Sequence, residues 1–232
     1  VDAYGNPVAG GMETMLIDAT STLGPDMAKT FTEWFRKHGN ILTNGNVARL
    51  NLQSNIALNR QFIILRIDEF GERIPLTVED FDCENGTITI VFQAVGFTTQ
   101  KLASLEIGSF IADCVGPLGC PTEFGSPKKA IVIGGGVGCA IAYPQAKALF
   151  NMGVKTDIIA GFRNKDIVIL EEEMRAVSDD YYITTDDGSY GEHGNVTVPL
   201  KEMLDAGEKF DMIITIGPLI MMKFVTLTAK PF

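Results

Sequence analysis

The stretch from residue 130 onward constrains the fold more than any other part of the chain. A continuous apolar run at 130–133 and largely apolar ones at 155–160, 181–184 and 210–216 alternate with helical patterns at 142–152, 168–177, 198–206 and 218–229. Strands without polar alternation need cover on both faces, and helices placed between successive strands supply it. The reading is a doubly wound α/β domain with a parallel sheet over 128–232.

Upstream the rhythm is shorter. Strand-like runs at 47–52, 61–67, 87–93 and 109–115 are broken by turns at 69–72 and 84–86, with one helical pattern at 101–105. Close, regular strand spacing predicts a small antiparallel β barrel over 45–122. Residues 1–44 stay unassigned apart from one amphipathic helix at 25–39, with Thr22 near its N-cap, Pro25 at its first position and Gly39 as its stop. Its stripe of Met27, Phe31, Trp34 and Phe35 is the kind that packs, and packing is the expected role of Trp34.

Charge and cysteine usage narrow the function classes. Asp plus Glu number 29 against 19 Lys plus Arg, a formal net charge of −10, the wrong sign for a nucleic-acid or anionic-membrane partner. No apolar run approaches the roughly 20 residues needed to span a bilayer. Cys83, Cys114, Cys120 and Cys139 contain no Cys-x-x-Cys, and His38 and His193 have no ligand-spaced neighbours, so no metal site is expected. With no signal-peptide pattern, reduced thiols and a cytoplasmic protein are the expectation. The chain opens on Val1 and stops at Phe232 directly after a helical pattern, which suggests a processed or partial chain.

The segment Gly134-Gly135-Gly136-Val137-Gly138 runs from a buried strand into a helix. Glycines there let the backbone turn tightly and approach a pyrophosphate, whose charge meets the N–H groups of the helix start. It is not a clean G-x-G-x-x-G, and a plain structural turn is an equal reading of this segment alone; no Gly-Lys-Ser/Thr follows, which excludes a P-loop. Three further loops fall at the carboxyl ends of later strands: Gly161-Phe162-Arg163-Asn164-Lys165, Thr185-Asp186-Asp187-Gly188 and Gly217-Pro218. Each alone is more often surface than site, but four on one sheet edge favour a dinucleotide. Asp186 and Asp187 either meet cofactor hydroxyls, the reading their place favours, or close a strand in an Asx-type turn. Glu171, Glu172 and Glu173 are explained first by the helix dipole, with a ribose contact as the lesser reading.

These motifs, together with Gly71-Glu72-Arg73-Ile74-Pro75-Leu76-Thr77, Val91-Phe92-Gln93-Ala94-Val95-Gly96, Val115-Gly116-Pro117-Leu118-Gly119-Cys120 and Glu173-Met174-Arg175, resemble in order and spacing the ferredoxin reductase-like electron-transfer subunits. The likeness covers about residues 45–232. Within that group it is strongest to the small (alpha) subunit of NADH-dependent ferredoxin:NADP oxidoreductase, also called the sulfide dehydrogenase beta subunit, with the dihydroorotate dehydrogenase electron-transfer subunit a close relative. The resemblance implies an FAD-binding barrel, an NAD(H)-binding Rossmann-like domain, hydride exchange between the two cofactors, and electron delivery to a larger flavin- and iron–sulfur-containing partner with ferredoxin downstream. It implies that Arg73 neutralises the FAD pyrophosphate, that Ile74, Pro75, Leu76 and Thr77 line the flavin with the Thr77 hydroxyl near its reactive nitrogen, that Val91, Phe92 and Gln93 contact ring and ribityl chain, and that Gly96, Thr98 and Thr99 lie near the pyrophosphate. It places NAD(H) on Gly134, Gly135, Gly136, Val137, Gly138, Gly161, Arg163, Thr185, Asp186, Asp187, Gly188, Gly217 and Pro218.

Competing structural readings stand beside these. Arg73 is also read as a solvated turn residue, Phe92 as an alternating core residue, Thr98 and Thr99 as helix caps, and Met221 and Met222 as packing residues. Arg163 and Lys165 suit a 2′-phosphate, whereas the resemblance points to NAD(H). The chain departs from the family pattern in having no Tyr between Arg73 and Thr77, Ile216 where many relatives have Cys before Gly-Pro, and no cysteines for the family's two-iron two-sulfur cluster. Residues 46–54 resemble an altered form of the family's first barrel strand. The alternative function is a non-catalytic regulatory or scaffold subunit that retains the fold.

Overall fold

The computed structural model describes strands Met12–Asp18, Ile41–Asn44 and Val47–Leu50, and residues 61–82, 87–105, 109, 111–120 and 122–232. The helix expected at 25–39 and the turn at 84–86 lie outside the described residues, as do His38 and Cys83. Two compact units divide the chain, Val1–Pro121 and Thr122–Phe232.

The first unit holds a five-stranded antiparallel sheet in the order β1 (Met12–Asp18), β6 (Thr87–Gln93), β5 (Ile74–Asp82), β4 (Phe62–Arg66), β7 (Asp113–Leu118). Period-two burial decides which faces turn inward: Ile63 and Leu65 of β4 and Ile88, Ile90 and Phe92 of β6 are buried. They pack with Val78, Ile111, Cys114 and Leu102, the last on helix α1 (Phe97–Ala103).

Several sequence expectations need correcting here. The first strand of this sheet is β1, in the stretch left unassigned, whereas Val47–Leu50 (β3) pairs only with Ile41–Asn44 (β2) in a separate two-stranded sheet. Strand β5 escaped notice because Pro75 interrupts the pattern and Glu79 is buried at an irregularity, where Val78 faces Ile90 but Asp80 already faces Thr89. The run expected at 109–115 forms its strand later, from Asp113, and α1 begins earlier than Lys101.

The second unit is built on a parallel sheet in the order β11 (Glu192–His193), β10 (Asp180–Thr185), β9 (Lys155–Phe162), β8 (Lys129–Gly135), β12 (Met212–Ile216). The short β11 was not anticipated. All residues of β8 from Ala130 are buried, as cover on both faces requires. On one face Ile131, Ile133 and Ile159 pack against Val196, Leu200, Leu204 and Val225, from the region of helices α4 (Thr197–Asp205) and α5 (Leu219–Ala229). On the other, helix α2 (Cys139–Asn151) brings Cys139 and Ala142 against Gly134. Helix α3 (Glu171–Ala176) carries the three glutamates in its first turn, where the dipole favours them.

Candidate functional site

The strand order defines the site in the second unit. From β8 the chain steps to β9, β10 and β11 on one side, then returns to the other side of β8 with β12. The connections after β8 and β12 therefore leave toward opposite faces, and a crevice opens at their carboxyl ends, where doubly wound sheets take ligands. The glycine turn and Gly217-Pro218 meet there. A Cβ on Gly138 would stand 2.6 Å from the Ile216 carbonyl oxygen and 2.8 Å from Gly217 Cα, and one on Gly135 2.3 Å from Met221 Sδ. Gly136 adopts φ 57°, a conformation that glycine reaches without a Cβ penalty. Met221, expected to pack rather than bind, does pack against the sheet's core and also stands against Gly135 of the turn.

Beside this crevice the loops after β9 and β10 are tied to each other. The backbone N–H of Lys165 donates to Ser189 Oγ at 2.9 Å, and that of Asp186 to the Phe162 carbonyl at 3.0 Å. Asp187 Oδ1 accepts from the Ser189 N–H at 2.9 Å, the Asx-type turn foreseen as one of its two readings, and the Ser189 hydroxyl together with this N–H holds its carboxyl below the usual range. Thr185 is fully buried and its hydroxyl is spent on Tyr190, donating to the carbonyl at 2.7 Å and accepting from the N–H at 3.1 Å. Asp186, Gly188 and Arg163 remain exposed. Glu171 accepts from the Tyr190 hydroxyl at 3.1 Å and from Arg175 at 2.9 Å, which commits it within the protein. Among the described residues the buried Thr184 hydroxyl, beside Gly161, has no hydrogen-bond partner. Glycines whose Cβ would collide and an unpaired hydroxyl nearby fit a dinucleotide laid across the strand ends.

In the first unit the predicted flavin residues separate by environment. Phe92 is 3% exposed and belongs to the core, as its alternative reading held; Val91 is buried, Ile74, Leu76, Thr77 and Gln93 half-buried, and Pro75 and Gly96 exposed. Thr99 closes the start of α1, accepting from the Gly96 N–H at 2.9 Å. Buried Thr98 donates to Glu72 at 3.4 Å, and Lys101 pairs with Asp68, so α1 is fastened to the β4–β5 turn beside Arg73. The two stretches expected at a pyrophosphate, separated by more than twenty residues, are thereby neighbours. Arg73 is 62% exposed and its Nη2 donates to Asp113 at 3.1 Å. Asp113 also accepts from Arg66 Nε, which holds its carboxyl below the usual range. Sequence reading missed Asp113 and Arg66, because only pairing of β4 with β7 brings them together. An exposed Arg73 guanidinium on a unit that also exposes Phe70, Val95 and Phe97 fits a flavin nucleotide, which carries both phosphate and apolar rings.

Among the described residues no group of cysteines fits an iron–sulfur cluster. Cys114 and Cys139 lie in separate units, each with its thiol pushed up to about 12 by burial, the reverse of a thiolate ligand. Among the described residues no three His, Cys, Asp or Glu side chains are grouped to hold a metal ion. No helix among them is long and apolar enough to cross a membrane.

An antiparallel β unit followed by a parallel α/β unit with this crevice is the ferredoxin reductase-type fold. The cytochrome b5 reductase domain of Ulva prolifera nitrate reductase shares it, with TM-score 0.57 at 16% identity over 81% of this chain and 87% of that one. The structure of NADH-dependent reduced ferredoxin-NADP oxidoreductase, described for flavin-based electron bifurcation, matches with TM-score 0.68 and 38% identity over 74% of this chain and 62% of that one. No family model matches the chain. In sequence it is 48% identical over 178 residues to an uncharacterised protein in the adh 3′ region of Clostridium beijerinckii, covering 73% of this chain and 60% of that protein. It is 44% identical over 172 residues to the dihydroorotate dehydrogenase B (NAD(+)) electron transfer subunit homolog of Thermotoga maritima, covering 74% and 60%. The electron transfer subunit of Enterococcus faecalis is 31% identical over 188 residues, covering 77% and 71%. The chain belongs to the family of dihydroorotate dehydrogenase B-type electron-transfer subunits. It spans about 60% of the length of the first two of these relatives.

Proposed function

We propose that the chain is a flavoprotein electron-transfer subunit that exchanges hydride between NAD(H) and FAD and passes electrons to a larger partner subunit, of the ferredoxin:NADP oxidoreductase or sulfide dehydrogenase type, with ferredoxin downstream. The observation that carries this reading is the crossing of two glycine-bearing loops at the switch point of the sheet, where Gly138 admits no side chain against Ile216 and Gly217. Gly134, Gly135, Gly136, Val137, Gly138, Gly217 and Pro218 would hold the pyrophosphate and nicotinamide side of NAD(H). Gly161, Arg163, Asp186, Asp187 and Gly188 would take the adenosine side, with the Thr185 hydroxyl holding the loop rather than the ligand. In the first unit Arg73, Gly96, Thr98 and Thr99 would receive the FAD pyrophosphate, and Ile74, Pro75, Leu76, Thr77, Val91, Phe92 and Gln93 would form or back the flavin surface.

When bound, nicotinamide and flavin supply the electron chemistry; the residues of this chain bind them, orient them and exclude water. A second reading of the partner, a dihydroorotate-oxidising subunit, is favoured by the names of the Thermotoga and Enterococcus relatives. Identification of the larger subunit that copurifies from the native source decides between them. The flavin reading is tested in purified protein, which is expected to take up FAD, show the yellow flavin bands and lose them on addition of NADH. Protein that remains colourless after reconstitution would overturn it.

A further inference from the structure

The mechanism proposed above uses Arg73 and assigns nothing to the two side chains that hold it. Asp113 on β7 accepts from both guanidinium groups, from Arg66 Nε and from Arg73 Nη2 at 3.1 Å. Arg66 also sends Nη1 to the carbonyl oxygens of Asp68, at 3.4 Å, and Glu69, at 3.3 Å, in the β4–β5 turn from which Arg73 emerges. The side chains of Arg66 and Asp113 are 23% and 22% exposed, against 62% for Arg73. Arg66 is therefore committed to the protein on two nitrogens, whereas Arg73 gives one hydrogen bond and keeps its other donors without a partner among the described residues. Two cations thus share one carboxylate, and Arg73 is the exposed member of the three.

We infer that Asp113 is a positioning residue for the flavin nucleotide: anchored by Arg66, it orients the Arg73 guanidinium toward the pyrophosphate before the cofactor arrives. The inference rests on the FAD reading of Arg73. A long side chain ordered in advance loses less freedom on binding, and the planar fork of arginine rewards correct orientation more than a point charge does. Two physical effects of Asp113 oppose each other in sign. As a nearby negative charge it repels a pyrophosphate, so its neutralisation would tighten FAD binding; as a holder of Arg73 its neutralisation weakens it. The pairing of Asp113 with Arg66 makes the second dominate, because the charge of Asp113 is already balanced by a cation that the cofactor does not use.

The test is the affinity of the reconstituted chain for FAD and for riboflavin, which has the ring and no phosphate, measured by fluorescence quenching at low salt. Asp113→Asn is expected to weaken FAD about tenfold and leave riboflavin unchanged, and to have no further effect in an Arg73→Ala background. Tighter or unaltered FAD binding by Asp113→Asn, or equal weakening of both ligands, overturns the positioning role. Arg73→Ala tested alone separates the underlying reading: if it leaves FAD affinity unchanged, Arg73 does not meet the pyrophosphate, whatever Asp113→Asn does. Should Asp113→Asn fail to fold, Arg66→Lys gives the same readout from the other side of the carboxylate, with a several-fold loss for FAD and none for riboflavin expected; no loss overturns the role.

Discussion

Gly138 and Gly135 lie three residues apart in one turn, yet a methyl group at each would meet different matter. At Gly138 the obstacles are the carbonyl of Ile216 and the Cα of Gly217, backbone of a neighbouring strand end that cannot move without disturbing the β8–β12 pairing. At Gly135 the closest atom is the Met221 thioether, which has rotamers to spare. Gly138→Ala is expected to cost about 1–3 kcal/mol of stability and to weaken NADH binding at least tenfold. Gly135→Ala is expected to cost less than half as much stability. Urea unfolding and NADH fluorescence titration read both, and equal losses would show that the loop crossing is softer than the backbone contacts imply. The motif made these glycines visible; it did not rank them, since the ranking depends on what stands opposite.

Asp157 poses a different question at the residue scale. It is buried on β9, 3.2 Å from Lys129 Nζ, with Lys155 and Asp180 adding their charges, and burial raises its carboxyl above the ordinary aspartate value despite the lysine. In the window between the ordinary and the raised value the folded chain binds the extra proton. Its contribution to stability is thus fully present below the ordinary value and is lost as pH rises through the folded one. The carboxylates Asp68, Asp187 and Asp211 are shifted down and act oppositely, losing their contribution as pH falls. The difference between wild type and Asp157→Asn isolates the buried group. The stability of the variant relative to wild type should rise as pH is raised from the ordinary aspartate range toward neutrality, measured by urea midpoints; a flat difference would refute the assignment.

At the scale of elements, α5 differs from the other helices. Val225 is buried against the sheet, while Leu219, Ile220, Phe224 and Leu227 are each more than half exposed, and every residue of its strand β12 is only half-buried at the sheet edge. A helix apolar on its outer face and a neighbouring strand that has no further partner among the described residues together form the kind of surface that promotes association. The purified chain is expected to associate with rising concentration, and Phe224→Lys with Leu227→Lys to reduce that association, as read by sedimentation velocity, with little change in the melting midpoint. Helical periodicity announced α5 plainly. Its exposed face was not legible, because a pattern apolar all round does not say which side is covered.

The strands show the same division. Those of the second unit were legible because their runs are largely apolar and alternate with helical patterns, most plainly β8, which is buried from Ala130 onward. In the first unit β4 and β6 were legible from alternation and turn residues, whereas β5 was hidden by Pro75 and by the irregularity at Glu79, and β1 by lying far in sequence from its partner β6. Pairing energy between distant segments leaves no local signature.

For the whole molecule, the two units predict a preference between nicotinamide cofactors. Arg163 is an exposed cation suited to a 2′-phosphate, but Asp187, held ionised by its turn, and exposed Asp186 stand on the adjoining loop that hydrogen bonds fasten to the same strand end. Two carboxylates disfavour an added phosphate dianion and suit ribose hydroxyls. NADH is expected to reduce the bound flavin at least tenfold faster than NADPH in stopped-flow absorbance; equal or reversed rates would overturn the assignment.

By itself the sequence determined the order of an antiparallel β unit and a parallel α/β unit, the glycine turn and the set of loops at one sheet edge. Each of these is written in local periodicity or in residues whose backbone chemistry is particular. Only the tertiary structure decided that Gly138 faces backbone and Gly135 a thioether, that Thr185 and Glu171 are consumed within the protein, and that Asp113 and Arg66 stand behind Arg73. Most of those relations join residues tens of positions apart, and they exist only once strand register and loop packing have brought the groups within reach.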